Sequence, residues 1–223
     1  MDIKKLIARY GVFVLGLYFL SAGIVLIVSS ALGTTPISSI NYVVSLNTPL
    51  TLGTCTFLIN MILILGQFWL VRDCLTRRDL VEILLQIPFS FIFSAFIDFN
   101  MWLAEGVHPS GYVMSLLLLA AGCVVQAVGV VFELKPRVAM MSAEAFVRYA
   151  SIRYHKEFGK LKVWFDVSLV SCAVVLSLLL SHKIEGVREG SLIAACCTGY
   201  IVSFLNTRVM TRSALHKTVR MFR

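Results

Sequence analysis

Six runs of roughly twenty apolar residues constrain this chain more than any other feature, because that is the length an α-helix needs to cross the hydrocarbon core of a bilayer. They cover residues 10–30, 51–71, 80–103, 112–133, 161–181 and 188–207. Backbone polar groups inside a bilayer must be bonded within the protein, so unbroken runs of this length read as helices. Charged residues are 14% of the 223, against about 25% in a typical soluble domain. The chain therefore reads as an all-α polytopic membrane protein with six transmembrane helices. The third run carries Gln86 and Pro88, which predicts a kink or local adjustment. The sixth is the least apolar, with Cys196-Cys197-Thr198-Gly199 at its centre. Residues 1–10 read as a short lead into the first span, with no signal-peptide cleavage site.

The net charge of +8 raises the question of nucleic acid. The distribution of the charge answers it. With the N-terminus in the cytoplasm, Lys4, Lys5, Arg9, the loop around Arg72–Arg78, the loop from Lys135 to Lys162, and the basic tail 208–223 all lie inside. Eighteen of the twenty Lys and Arg are then cytoplasmic, and only Lys183 and Arg188 are not. That asymmetry is the positive-inside pattern of a multi-pass protein, with both termini in the cytoplasm. No nucleic-acid partner is expected.

Residues 29–39, Ser-Ser-Ala-Leu-Gly-Thr-Thr-Pro-Ile-Ser-Ser, break the first helix. Gly33 tolerates angles a helix does not use, and Pro36 suits the first turn of a new helix capped by Thr35. The new helix is expected over about 36–46. A similar break follows 106 residues later at Ala139-Met140-Met141-Ser142-Ala143-Glu144, with Ser142 as a suitable N-cap and a short helix over 142–155. At the same offset Gly16 meets Gly122, Gly23 meets Gly129 and Gly53 meets Gly159. Asn60 meets Asp166, and Asn100 meets Asn206. These matches read as a duplication, repeat one over 10–104 and repeat two over 112–207. Three spans is an odd number, so the second copy enters from the opposite side. The expected fold is a 3+3 inverted-topology repeat with two broken or re-entrant segments.

Gly16 and Gly23 share a helix face, as do Gly122 and Gly129, so spans one and four are expected to cross closely at the pseudo-two-fold axis. The segment after Pro36 has no charge and carries Ser38, Ser39, Asn41 and Ser45, which suits a sheltered cavity lining. Arg148, Arg153 and Lys156 would equally suit a surface helix at the second break. Asp166 within a span is either functional or paired with Lys162 one turn away. Glu144 complements the first turn of its helix, can pair with Arg148, and can bind a cation. Glu82 and Gln86 share a face of the third span. Asp98 and Glu133 sit near span ends, where either can simply meet water. The six cysteines read as small core residues, and no zinc-like spacing, histidine relay, Walker loop or hydrolase motif is present. No enzyme, metal or cofactor is expected.

The stretches Leu32-Gly33-Thr34-Thr35-Pro36-Ile37-Ser38-Ser39 before Gly53, and Met140-Met141-Ser142-Ala143-Glu144-Ala145 before Gly159 and Asp166, resemble the YitT/YczE-like family of small bacterial integral membrane proteins. The likeness runs over nearly the whole chain. That family often has proline where this chain has Ser142. The resemblance implies a bacterial inner-membrane protein and favours transport.

The expected function is a transporter or channel for a small polar or ionic solute. One cavity near the midplane would be lined by Thr34, Thr35, Ser38, Ser39 and Asn60 from the first half. Met141, Ser142, Glu144 and Asp166 would line it from the second. The alternatives are a non-transporting membrane scaffold or regulator, and a protein that handles a lipid or amphiphile. Expected partners are the solute, the lipid bilayer and, as an option, further copies of the chain in a homo-oligomer.

Overall fold

The computed structural model describes residues 3–72, 76–107, 109–136, 138–183, 186 and 188–205. The described residues form α-helices and no strand. In chain order these are α1 Ile3–Ser29, α2 Pro36–Asn47, α3 Leu52–Val71, α4 Arg77–Leu103, α5 Tyr112–Leu134, α6 Ser142–Tyr154, α7 Phe158–Ser181 and α8 Glu189–Phe204. Five of them, α1, α3, α4, α5 and α7, are long and apolar enough to cross a membrane. The molecule is thus an all-helical protein built for a multi-pass membrane setting. The sixth expected span is described only to residue 205, and the apolar part of α8, Ile193–Val202, is shorter than a crossing. Asn206 and the basic tail lie outside the described residues.

Both breaks fall where the sequence put them. After α1, Ala31 and Gly33 take positive φ values of 57° and 139°, the second in a region that only glycine enters readily. Thr35 is the extended N-cap residue and Pro36 opens α2. At the second break the cap is Met141, not Ser142, which instead occupies the first helical position, as Pro36 does in the first copy. His155 closes α6 in a left-handed conformation. α4 runs as one helix through Pro88.

The centre of the molecule is the antiparallel pair α1 and α5, which packs more extensively than any other pair. A Cβ on Gly16 would lie 2.6 Å from the Glu133 backbone nitrogen, and one on Gly122 would lie 2.7 Å from Ile27 Cγ1. A Cβ on Gly23 would strike the Gln126 backbone, and one on Gly129 the Leu20 backbone. Each residue on α1 faces one on α5 whose number falls as its own rises, and the four glycines together let the two backbones touch. Around this pair, α4 packs on α1 and α8 on α5. α2, α3, α6 and α7 make a ring in which α2 packs on α3 and α7, and α6 on the same two helices. The core joins these layers: Phe13, Leu17, Val25, Leu52, Phe89, Phe93, Ile97 and Met141 cluster together.

α3 and α4 are tied at one end by Asp98. Its carboxylate accepts the Gly53 N–H at 2.8 Å and the Thr51 hydroxyl at 2.8 Å, so it caps the N-terminus of α3 instead of resting in water. At the repeat offset Phe204 stands for Asp98, and Gly159 has nothing near it. Consistent with that, among the described residues α7 and α8 do not pack as extensively as α3 and α4 do.

Candidate functional site

The first group of expected site residues gathers at the end of α1. Thr34, Thr35, Ser38 and Ser39 are all buried. The Thr34 N–H donates to Ser191 Oγ at 3.0 Å, and its hydroxyl donates to the Gly186 carbonyl at 2.8 Å. Ser39 Oγ lies 3.0 Å from Thr34 Oγ1 and donates to the Thr35 carbonyl at 2.9 Å. Thr35 donates to Ser38 Oγ at 3.0 Å. These hydroxyls satisfy one another, and Gly33 sits against Ser191 with no room for a side chain. Arg188 donates to the Ala31 carbonyl at 3.1 Å and so serves the frayed end of α1.

The second group lies at the other end of the α1–α5 pair. Ser142, fully buried, faces Ser90 with the two Oγ atoms 3.1 Å apart. Its carbonyl accepts Gln67 Nε2 at 3.1 Å. Gln67 and Gln86 exchange reciprocal amide bonds of 2.8 Å. Met141 packs into the main core cluster. Glu133, at the end of α5, is 2% exposed. Its Oε1 has no partner, and neither has the buried Oε2 of Glu144.

The two groups lie toward opposite ends of the α1–α5 pair. α5 ends opposite about residue 15 of α1, some fourteen residues short of the α1 end. At a rise of about 1.5 Å per residue the breaks are roughly 20 Å apart along the pair. No hydrogen bond among the described residues joins one group to the other. What runs between them is the buried face of α3. Thr56, Asn60 and Gln67 lie on it at helical spacing. Thr56 accepts the Asn41 amide of α2 at 3.1 Å, and Gln67 reaches Ser142 of α6. Between these two anchors, Asn60 Nδ2 is buried without a partner, as is Asn41 Oδ1.

Several expectations change. Asp166 pairs with Lys162 at 2.7 Å with both side chains about a quarter exposed, at 28% and 23%, so its structural role is sufficient. Glu144 does not pair with Arg148, which goes to Glu82 of α4 at 3.3 Å. Gln86 is buried in the bundle, whereas Glu82 stays partly exposed between Arg78 and Arg148. The residue that sequence reasoning passed over is Glu133. The signal was available: Glu133 follows Gly129 by four residues and so shares the glycine face, and at the repeat offset it falls on Ile27, fully buried at 0% exposure.

A family model described as a family of unknown function (DUF6198) matches residues 7–207, so it takes in both breaks and reaches past the last described helix. The match carries no YitT/YczE name. No curated protein and no solved structure matches the chain.

Proposed function

For this chain, which belongs to the family of unknown function DUF6198, we propose a membrane transporter for a small polar or ionic solute, built as a 3+3 inverted repeat in the bacterial cytoplasmic membrane. The observation that carries the reading is the buried polar face of α3, with its unpartnered Asn60 amide set between the two helix breaks. A buried amide donor left unbonded costs about 1–3 kcal/mol, which is retained more readily where a passing ligand can satisfy it. The packing favours the inverted repeat. Exchanging the halves turns the α2–α7 contact into α6–α3, α1–α4 into α5–α8, and α2–α3 into α6–α7, and all of these occur. The pseudo-equivalent of Ser38, Thr56 and Asn60 is Glu144, Lys162 and Asp166. One half thus offers neutral hydrogen-bonding groups and the other charged ones.

An anion seated on the α6 N-terminus fits poorly, because the Glu144 carboxylate stands in that first turn. A neutral polar or cationic solute fits better. The test is current across protein-loaded membranes on a solid support, evoked by concentration jumps of amino acids, sugars, organic anions and monovalent cations. A current with at least one class, lost in Asn60→Leu at equal protein loading, is expected. No current with any class would sink the reading. A second reading, a protein that takes an amphiphile sideways from the lipid, draws on the exposed apolar flank of α7 around Val163, Trp164 and Val167. A brominated fatty acid that quenches the exposed Trp164 of α7 no more than detergent alone would remove it.

A further inference from the structure

We propose that the C-terminal end of α3 is a docking site for an anionic phospholipid, whose phosphate meets Arg72 and Arg153 and whose acyl chain lies along the outer face of α3. The site stands apart from the transport reading. It is built around Trp69, whose indole is 55% exposed just before α3 ends. A helix of that length reaches the headgroups there, the level at which tryptophan collects in membrane proteins. Two cations stand on this one ring. The guanidinium carbon of Arg72 is 5.8 Å from its centroid, and that of Arg153 is 5.6 Å. They come from different elements. Arg72 follows α3 directly, whereas Arg153 reaches across from α6 and is fixed by a 2.8 Å bond from its Nη1 to the Leu70 carbonyl, one of the last of α3. α6 is pressed close here, because a Cβ on Gly66 would meet Phe146 Cε2 at 2.8 Å. A guanidinium carries five N–H donors in a planar fork that matches a phosphate, and the Leu70 carbonyl takes one of them. Leu58, Ile62 and Leu65, all exposed, continue from Trp69 along the same face of α3 at helical spacing. A stripe fit for an acyl chain thus runs straight up to the two cations. The described acids at this end already have places: Glu82 between Arg78 and Arg148, Asp79 in the capping box of α4, and Glu157 against Lys160. Asp73 lies outside the described residues. An anionic headgroup complements the arginine pair, while the choline of a zwitterionic lipid would add a third cation beside them.

The experiment uses the full chain carrying Trp102→Phe and Trp164→Phe, which leaves Trp69 as the sole indole of the three. The protein is placed in phosphatidylcholine vesicles. A small share of the host lipid is replaced by brominated phosphatidylglycerol or by brominated phosphatidylcholine, and quenching of Trp69 reports which lipid stands beside it. One basic residue at a membrane surface favours an anionic lipid by about fivefold. Two arginines should therefore let the brominated phosphatidylglycerol quench at a mole fraction roughly twenty-five-fold lower than the brominated phosphatidylcholine. Arg72→Gln should give up about fivefold of that preference, and Arg72→Gln with Arg153→Gln should abolish it. Lys183→Gln, in the exposed segment after α7 near the first break, should keep it in full. If the double variant does not fold, Arg72→Gln alone decides, because Arg72 is exposed. Equal quenching by the two lipids, or a preference that survives Arg72→Gln undiminished, overturns the site. Glycerol 3-phosphate, added against a chloride control of equal ionic strength, should leave the quenching in place. If millimolar amounts restore the fluorescence, the arginines take a soluble phosphate and the lipid assignment falls. No transported solute enters the measurement, so this result and that of the transport test fail or hold separately.

Discussion

At the scale of single residues, the informative feature is which buried polar atoms are satisfied and which are not. The hydroxyls around the first break close on one another, and Gln67 and Gln86 close on each other. Asn60, Glu133 and Glu144 do not close. Truncating one member of a satisfied pair strands the other, at a cost of about 1–3 kcal/mol, whereas replacing both by apolar groups of similar shape can be nearly neutral. Gln67→Leu and Gln86→Leu should therefore each lower the unfolding midpoint, and the double variant should recover much of the loss. Gln67→Leu also takes a partner from the Ser142 carbonyl, so recovery should be incomplete. Strictly additive losses would mean that the two amides do not act as a pair.

At the scale of helices, the breaks and the α1–α5 crossing were legible because they are local or periodic. Gly33 and Pro36 punctuate the chain, and glycines seven apart mark one face. Leucine at Gly23 or at Gly129 meets backbone across the crossing, and overpacking costs about 1–3 kcal/mol even where neighbours can yield. Each variant should lower the unfolding midpoint clearly. Gly11, on α1 with nothing within 4 Å, should accept leucine without loss. Equal stability of Gly11→Leu and Gly23→Leu would remove the close crossing. What the sequence could not convey is how far apart the two breaks end up. That distance depends on the register between α1 and α5, set by which glycine meets which backbone, and single-chain periodicity carries no register. Asp166 was hard for a related reason. A carboxylate in a span and a carboxylate paired with Lys162 look alike until the helix end is located. Glu133 was missed because a position near the end of an apolar run suggests water, although the glycine face argues for burial.

At the scale of the whole molecule, the open matter is the number of crossings, because parity decides where the tail lies. Five helices have the length and apolarity to span. α8 has sixteen residues, about 24 Å of helix at 1.5 Å each, against a hydrocarbon core near 30 Å. Its N-terminus is tied to the first break, where Gly190 N–H meets the Leu32 carbonyl at 3.0 Å and Ser191 accepts from Thr34. From there it runs beside α5, and its Ala194 joins a cluster with Leu119 and Cys123 of α5. α5 crosses from that same end of the pair to the other, so a helix packed along it is carried the same way. The α1–α4 contact of the first half has its counterpart in α5–α8, whereas the α3–α4 contact has none between α7 and α8 of like extent among the described residues. In the proposed orientation the sixth crossing returns the basic tail to the side of Lys4, Lys5 and Arg77, as the asymmetry of Lys and Arg requires. Single cysteines placed in a cysteine-free chain at Ser110, Arg77 and Lys217 separate the possibilities in intact cells. A membrane-impermeant maleimide should label position 110 and leave 77 and 217 unlabelled until the membrane is opened. Labelling at 217 from outside with 77 still protected would mean that α8 does not cross. The inverted repeat would then fail.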